Sequence, residues 1–119
     1  MPSLASVTSI EVGAAILTKD GKIFDGCNLE LKIIKGIHAE GGALYKGLYD
    51  GYRNKDFIAI AIVYVGKSKE PPYPSCAECR QWLWELTHPN LIVISASTKG
   101  EILHKSTIKE LYPMPYPAK

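Results

Sequence analysis

Hydrophobic and polar positions divide this chain into short β-prone runs and two longer helical segments. Residues 12–30 hold two β-prone runs around the turn signal TKDG, which predicts a β-hairpin. Residues 57–66, FIAIAIVYVG, are apolar at odd and even positions alike, as in a central strand that is covered on both faces. The segments LIVISAS and GEILHK predict a second strand pair around a turn at residues 98–100.

The first helical segment spans residues 36–52, where Leu44 and Leu48 stand four positions apart on one helix face. The same segment holds three glycines, Gly41, Gly42 and Gly47. They oppose the helix prediction, because a glycine in a helix interior costs roughly 1 kcal/mol relative to alanine. Glycine in such a place often permits the close approach of another backbone.

A second helix is predicted over residues 76–88, after a proline-rich loop at 67–75. TIKELYP predicts a short last helix that is stopped by Pro113. The resulting order, β-β-α-β-α-β-β-α, predicts an α/β fold with three layers, α/β/α, around a mixed central sheet of about five strands. Residues 1–119 are expected to form a single domain, because that length supports one core and no internal linker interrupts it.

Composition and charge narrow the classes of function. The chain is 46% hydrophobic and 22% charged, and its net charge of +2 comes from scattered residues, so nothing indicates a nucleic-acid groove. The longest apolar run, residues 57–65, is too short to span a bilayer. The opening stretch MPSLASVTSIEVGAAILTKD lacks the pattern of a signal peptide. We therefore expect a cytoplasmic protein with neither a nucleic-acid nor a membrane partner.

The cysteines point to thiol or metal chemistry. The chain has three, an odd number that argues against a disulfide framework. Two of them form the motif Cys76-Ala-Glu-Cys79 at the start of a predicted helix. One helical turn places both sulfurs on the same face, and the N-terminal N–H groups favour their thiolate form. By itself, a CxxC pair fits a redox pair, half of a zinc site or a coincidence.

His38 is the candidate third ligand, since the sequence has no second CxxC and no HxxxH. Three protein ligands leave the fourth position of a tetrahedral zinc for water, which is the arrangement of a catalytic site. Glu40 stands two residues from His38, close enough to exchange a proton with that water. H-x-E followed by C-x-x-C is the pattern of the zinc nucleobase deaminases.

Four stretches carry a resemblance to one family: VGAAIL (12–17), GCNLE (26–30), HAE (38–40) and CAECRQ (76–81). With these stretches the chain resembles the cytidine deaminases of the small nucleoside-deaminase family, over roughly residues 10–113. The resemblance implies a hydrolase of pyrimidine salvage. It would deaminate cytidine or deoxycytidine to uridine or deoxyuridine plus ammonia. It also implies a homo-oligomer, a tetramer or a dimer, because sites in this family often borrow from adjacent subunits.

The resemblance also implies the residues of the zinc chemistry. His38, Cys76 and Cys79 would bind Zn²⁺, and Glu40 would be the proton shuttle. Zinc lowers the pKa of its water to about 7, so hydroxide is available to attack the base at neutral pH. A carboxylate suits the shuttle, because the same group must accept and donate a proton within one turnover. If zinc were absent, Glu40 would simply favour the helix dipole.

The resemblance further implies the residues that hold the substrate. Asn28 and Glu30 match the family pair that hydrogen-bonds the ribose hydroxyls, although polar residues after a strand are also ordinary turn residues. The backbone N–H groups of Ala39 and Cys76, with the carbonyl of Pro74, would lie where the family holds the pyrimidine O2, the hydroxyl and the exocyclic amine.

Some positions depart from the family pattern. Ser75 and Ala77 replace the proline and glycine that usually flank the first cysteine, and Ile10 stands where an aromatic residue stacks on the base. Gly41 follows Glu40, where many three-cysteine members carry an arginine. A neutral histidine ligand brings the charge of the donor set and Zn²⁺ to zero, so a countercharge is not needed.

Three alternatives remain open. The substrate could be a related cytosine nucleoside such as blasticidin S, given the departures around the first cysteine. A polynucleotide deaminase acting on tRNA or single-stranded DNA would normally add length and basic surface. A non-catalytic, zinc-stabilised interaction domain would hold the metal with four protein ligands.

Four residues of the second helix are expected to be structural. Arg80 and Gln81 are expected to tie the helix to neighbouring carbonyls, and Trp82 and Trp84 to lie in the core or in a subunit contact.

Overall fold

The computed structural model of this protein describes residues 10–29, 36–66 and 76–119. The strands are β1 (Ile10–Thr18), β2 (Ile23–Cys27), β3 (Phe57–Gly66), β4 (Ile92–Ala96) and β5 (Ile102–Thr107). The helices are α1 (Ala39–Tyr49), α2 (Ala77–Leu86) and α3 (Ile108–Leu111), with a 3₁₀ turn at Asn54–Asp56. The predicted order of strands and helices is confirmed. No helix within the described ranges combines the length and the apolar content needed to cross a membrane.

The five strands form one mixed sheet in the order β2-β1-β3-β4-β5. β1 pairs antiparallel with both β2 and β3, and β4 pairs antiparallel with β5, so both predicted hairpins are confirmed. β3 and β4 are parallel, because α2 lies between them in the chain and returns it to the same end of the sheet. The α/β class and the mixed five-stranded sheet are therefore as the sequence predicts.

One face of the sheet carries the core. Ala14 and Ile16 of β1 pair with Ile62 and Ile60 of β3, and Val93 of β4 lies beside Ile60. All five side chains are buried, and they form one cluster with residues of both long helices. The helical members of that cluster are Ala39, Ala43, Leu44, Leu83 and Trp84. Both α1 and α2 thus pack on the same face, which allows their first turns to meet.

Two glycines of α1 make room for aromatic rings. A Cβ atom on Gly41 would stand 2.8 Å from Cζ3 of Trp82, and one on Gly47 would stand 2.6 Å from Cε1 of Phe57. At these two glycines side-chain rings occupy the space, whereas at Gly42 another backbone approaches as the sequence predicts, with the Cα of Gly26 3.7 Å from the place of a Cβ atom. The Trp82 indole therefore gives a second reason, besides charge, why Gly41 carries no side chain.

Candidate metal centre

His38 stands at the start of α1, where the chain changes from extended to helical conformation. Its backbone is extended, at φ −79° and ψ 154°, and its carbonyl accepts the N–H of Gly42 at 3.0 Å. The imidazole makes no capping hydrogen bond, so its nitrogens are directed to other partners. Just before it, Leu29 and Ile37 form an isolated antiparallel bridge with two hydrogen bonds of 2.8 Å. This bridge brings the strand end that carries Asn28 close to His38.

Cys76 starts α2 in the same manner. It is the N-cap residue, and its sulfur accepts the backbone N–H of Cys79 at 3.4 Å. Its carbonyl accepts the N–H of Arg80 at 3.0 Å, which opens the helix. Cys79 is buried within the first turn, at 3% exposure. The CxxC spacing therefore places both sulfurs at the N-terminal end of α2, as the sequence predicts.

The two helix starts meet. Nδ1 of His38 lies 3.0 Å from the sulfur of Cys76 and 3.2 Å from that of Cys79. The three donor atoms all lie within 4.8 Å of one another. Among the described residues, these three side chains form the group that could hold a metal ion. In a tetrahedral zinc site, bond lengths of about 2.1 Å to nitrogen and 2.3 Å to sulfur separate the donors by about 3.6 Å. The two nitrogen–sulfur distances would have to lengthen by only about half an ångström to reach this value, so this cluster is suited to zinc.

The pKa values of the two thiols are shifted in opposite directions. A hydrogen bond from Cys79 is the main cause that lowers the pKa of Cys76 to about 5. Burial opposes this shift, whereas the backbone N–H of Cys79 and the charge of His38 lower the pKa further. The same hydrogen bond, together with burial and the negative charges of Glu40 and Cys76, raises the pKa of Cys79. Only thiolates are good zinc ligands, so binding of zinc to this pair would release the proton between the two sulfurs.

Glu40 lies in the first turn of α1 and is buried, with 4% of its surface exposed. Its hydrogen bond to Cys79 is one of the causes that raise the pKa of that thiol, so its carboxylate reaches the edge of the cluster. The carboxylate is not one of the three convergent donors. A carboxyl group beside a metal-ligand cluster, and outside its donor set, is placed to carry protons.

Asn28 lies where β2 ends and is almost fully buried, with 7% exposed. Its Oδ1 accepts the N–H of Val12 at 2.9 Å, and its own N–H donates to the Val12 carbonyl at 3.1 Å. Both contacts tie the end of β2 to β1 and make Asn28 a structural residue as well as a predicted substrate-binding one.

The remaining predicted site residues divide into two groups. Ala39 is fully buried at the first position of α1, where a backbone N–H has no partner within the helix. Glu30, Pro74 and Ser75 lie outside the described residues, and so does the side chain of Ile10.

Arg80 and Gln81 bond to carbonyls as the sequence predicts. Nη1 of Arg80 donates to Leu111 at 3.0 Å, and Nε2 of Gln81 donates to Tyr116 at 2.6 Å. Trp84 is buried in the core, whereas Trp82 is 41% exposed.

Tyr64 is a neighbour of the cluster that the sequence analysis does not single out. It follows Ile60 and Ile62 on the core face of β3 and pairs with Val12. Burial raises the pKa of its phenol to about 12, and the charges of Glu40 and both cysteines add to this effect. The hydroxyl therefore stays protonated at neutral pH. In the sequence, Tyr64 stands an even number of positions after the two isoleucines, which would place it on the same face of the strand. Because the whole run is apolar, however, the sequence does not show which face packs on the core.

Comparison with known proteins agrees with this geometry. Residues 3–95 match the family model described as the cytidine and deoxycytidylate deaminase zinc-binding region. A cytidine deaminase of Sporosarcina psychrophila is 36% identical over 103 residues, which cover 86% of this chain and 71% of that protein. One of Halalkalibacterium halodurans is 38% identical over 105 residues, covering 87% and 74%. The crystal structure of a cytidine deaminase from Burkholderia pseudomallei superposes with a TM-score of 0.85 at 36% identity, covering 96% of this chain and 87% of that one.

Proposed function

The chain belongs to the zinc-binding cytidine and deoxycytidylate deaminases, and from this membership we propose that it deaminates a free pyrimidine nucleoside by hydrolysis. The substrate is cytidine or deoxycytidine, and the products are uridine or deoxyuridine and ammonia. One observation carries the proposal: the donor atoms of His38, Cys76 and Cys79 converge, and the buried carboxyl group of Glu40 lies beside them.

The chain's own residues have distinct tasks in this reaction. His38, Cys76 and Cys79 would hold Zn²⁺, since Nδ1 of His38 and the two sulfurs converge. Bound zinc lowers the pKa of water to about 7, so hydroxide is available at neutral pH. Glu40 takes the proton from water, gives it to N3 of the pyrimidine and thereby makes C4 electrophilic. Hydroxide adds to C4, Glu40 accepts the proton of the hydroxyl group now on C4 and passes it to the amine, and the C4–N bond breaks to release ammonia. One carboxyl group thus serves both directions of proton transfer.

The substrate is held by the residues around the two helix starts. Asn28 and Glu30 hydrogen-bond the ribose hydroxyls. The N–H groups of Ala39 and Cys76 and the carbonyl of Pro74 hold the pyrimidine O2, the attacking hydroxyl and the exocyclic amine. The burial of Ala39 and the bridge that brings the Asn28 end of β2 toward His38 support these assignments.

The protein is further proposed to act in the cytoplasm as one domain over residues 1–119. None of its three cysteines forms a disulfide, in keeping with a reducing compartment. Homo-oligomer formation is supported by a cleft of about 400 Å³ between α1 and α2. Large side chains that line this cleft are exposed, with Tyr45 at 65% and Trp82 at 41%. Size-exclusion chromatography with light scattering tests this; a monomer at micromolar concentration would contradict it.

A substrate panel tests the proposed function. Purified protein is incubated with cytidine, deoxycytidine, blasticidin S and a cytosine-containing single-stranded oligonucleotide, and the released ammonia is measured. We expect turnover of the two nucleosides. Activity on blasticidin S alone would move the assignment to that alternative, and activity on the oligonucleotide alone would make it a polynucleotide deaminase. Zinc-loaded, folded protein without activity on any of these would indicate a non-catalytic zinc domain.

A further inference from the structure

Residues 112–119, here called the strap, run along α2 and are bonded to it at several points. Gln81 is the first point of attachment. Its Oε1 accepts the hydroxyl of Tyr112, and its Nε2 donates to the carbonyl of Tyr116 at 2.6 Å. One side chain of the helix therefore binds the strap at two places that are four residues apart.

Trp84 is the second point of attachment. Its Nε1–H donates to the carbonyl of Pro117 at 2.6 Å, and its ring meets that of Tyr112 edge to face, with centroids 6.2 Å apart. The indole is only 3% exposed, so this hydrogen bond joins the strap to a residue of the core. Nζ of Lys119 adds weaker contacts of 3.3 Å to the carbonyls of Glu85 and Thr87, near the helix end.

The strap is itself fixed to the sheet through α3. Ile108 is fully buried, and its N–H donates to the carbonyl of Leu91 at 2.9 Å, directly before β4. The N–H of Lys109 donates to Pro89 at 3.0 Å. Arg80 completes the connection, since its guanidinium donates to Leu111, the last residue of α3, at 3.0 Å. The strap thus links α2 to the β4 side of the molecule.

The strap and α1 hold opposite sides of α2. Trp82 faces α1, where its ring lies against Gly41. With 3.6 residues per turn, the strap contact Trp84 lies about 160° around the helix from Trp82, and Gln81 lies about 100° from it. Contacts on only one of these sides would leave α2 able to rotate about its axis or to tilt. Contacts on both sides fix the angle at which the first turn of α2 meets His38.

We propose that the strap positions α2 so that Cys76 and Cys79 meet His38 in the geometry of the metal site. Gln81 on α2 and Tyr112 on the strap are the positioning residues. This inference rests on the proposed function only in that the three residues hold a metal. Gln81 lies two residues beyond Cys79, so a change at its strap contacts reaches the sulfurs through less than one helical turn. Groups that orient metal ligands typically change metal affinity by about 10- to 100-fold when they are substituted.

Cobalt(II) binding tests the strap, because cobalt affinity and the visible absorption of bound cobalt report the donor geometry without any substrate. Gln81→Met removes both strap contacts while keeping the length of the side chain and a good helix former. Tyr112→Phe removes one hydroxyl from the same contact, and Met114→Ala is the matched control, because Met114 is 98% exposed. All proteins are compared at a temperature where circular dichroism shows each to be folded.

We expect Gln81→Met to bind cobalt about 10-fold more weakly and with altered visible bands, Tyr112→Phe to change in the same direction by less, and Met114→Ala to match the parent protein. Unchanged affinity and spectra in both Gln81→Met and Tyr112→Phe, with only a lower melting temperature, would overturn the positioning role and leave the metal site standing. Failure of the parent protein to bind cobalt or zinc would overturn the metal site, and the inference with it.

Discussion

At the scale of single residues, Glu40 separates a catalytic site from a structural one. It is buried next to the cysteines and is not one of the three convergent donors. A structural zinc site needs four protein ligands and no proton carrier. The proposed proton transfer accounts for a buried carboxyl group at this place, whereas stabilisation of the helix N-terminus alone does not require it to lie beside the cysteines.

Glu40→Gln keeps the size of the side chain and removes its ability to accept and donate a proton. We expect turnover of cytidine to fall by about 100-fold or more, with zinc content and melting temperature close to those of the parent protein. Initial rates, metal analysis and thermal unfolding on one preparation provide the measurements. Loss of zinc in this variant would instead indicate that Glu40 is a ligand.

Asn28 has a structural contact whose effect can be separated from substrate binding. Asn28→Asp keeps an oxygen acceptor for the N–H of Val12 but loses the amide donor. Asn28→Ala loses both groups. If Asn28 makes the proposed contact to the ribose, KM for cytidine is expected to rise about 10-fold in each variant, since each loses the amide donor. Only Asn28→Ala should also lose about 1–3 kcal/mol of stability, by leaving the Val12 N–H unpaired. An unchanged KM in Asn28→Asp would leave Asn28 as a turn residue only.

The residues of the cluster suited to zinc could be predicted from the sequence, but their neighbours could not. CxxC at a helix start and a nearby HxE restrict the chemistry strongly, because few arrangements of thiols and imidazole serve another purpose. Tyr64 belongs to an apolar strand whose sequence carries no alternation, so its position near the cysteines depends on strand register. The contacts of Gln81 and Trp84 likewise depend on the position of the strap, which is more than 30 residues away in sequence. No local sequence pattern predicts that position.

At the scale of helices and strands, aromatic rings explain glycines that helix propensity alone disfavours. Phe57 at the start of β3 lies against Gly47, and Trp82 of α2 lies against Gly41. Each glycine costs roughly 1 kcal/mol of helix propensity, and the packing of a large ring close to the helix axis offsets this cost.

Gly47→Ala tests that explanation, with Gly42→Ala as its matched control on the same helix. A methyl group on Gly47 would collide with the Phe57 ring at 2.6 Å, whereas one on Gly42 would stand 3.7 Å from the Cα of Gly26, an ordinary contact. We expect Gly47→Ala to lose about 1–3 kcal/mol through overpacking. Gly42→Ala should be neutral, or more stable by up to roughly 1 kcal/mol. Urea unfolding gives both values, and equal stabilities of the two variants would contradict the packing argument.

The order of elements could be predicted because each one has a local signal. The turn signals around residues 18–21 and 98–100 predict both hairpins, and α2 between two apolar strands predicts the parallel pair. Element ends were less predictable: α1 covers Ala39–Tyr49, within the predicted 36–52. His38 is extended because it is the N-cap residue, where only the carbonyl joins the helix by accepting the N–H of Gly42, and hydrophobic spacing does not mark this position.

At the scale of the whole molecule, the fold brings together two helix starts that are 38 residues apart in sequence. The sheet supports both helices on one face, and a ring against a glycine holds them side by side. Neither His38 nor the CxxC pair forms a metal site without this arrangement. The central claim is therefore that one folded unit both binds zinc and uses it to deaminate cytidine.

The most direct test measures zinc content and cytidine turnover on the same preparation, before and after treatment with a chelator, following the change in ultraviolet absorbance. We expect about one zinc ion per chain, loss of turnover when the metal is removed, and its return when zinc is added back. Turnover that survives complete removal of the metal would contradict this account, as would full zinc occupancy with no deamination of cytidine or deoxycytidine.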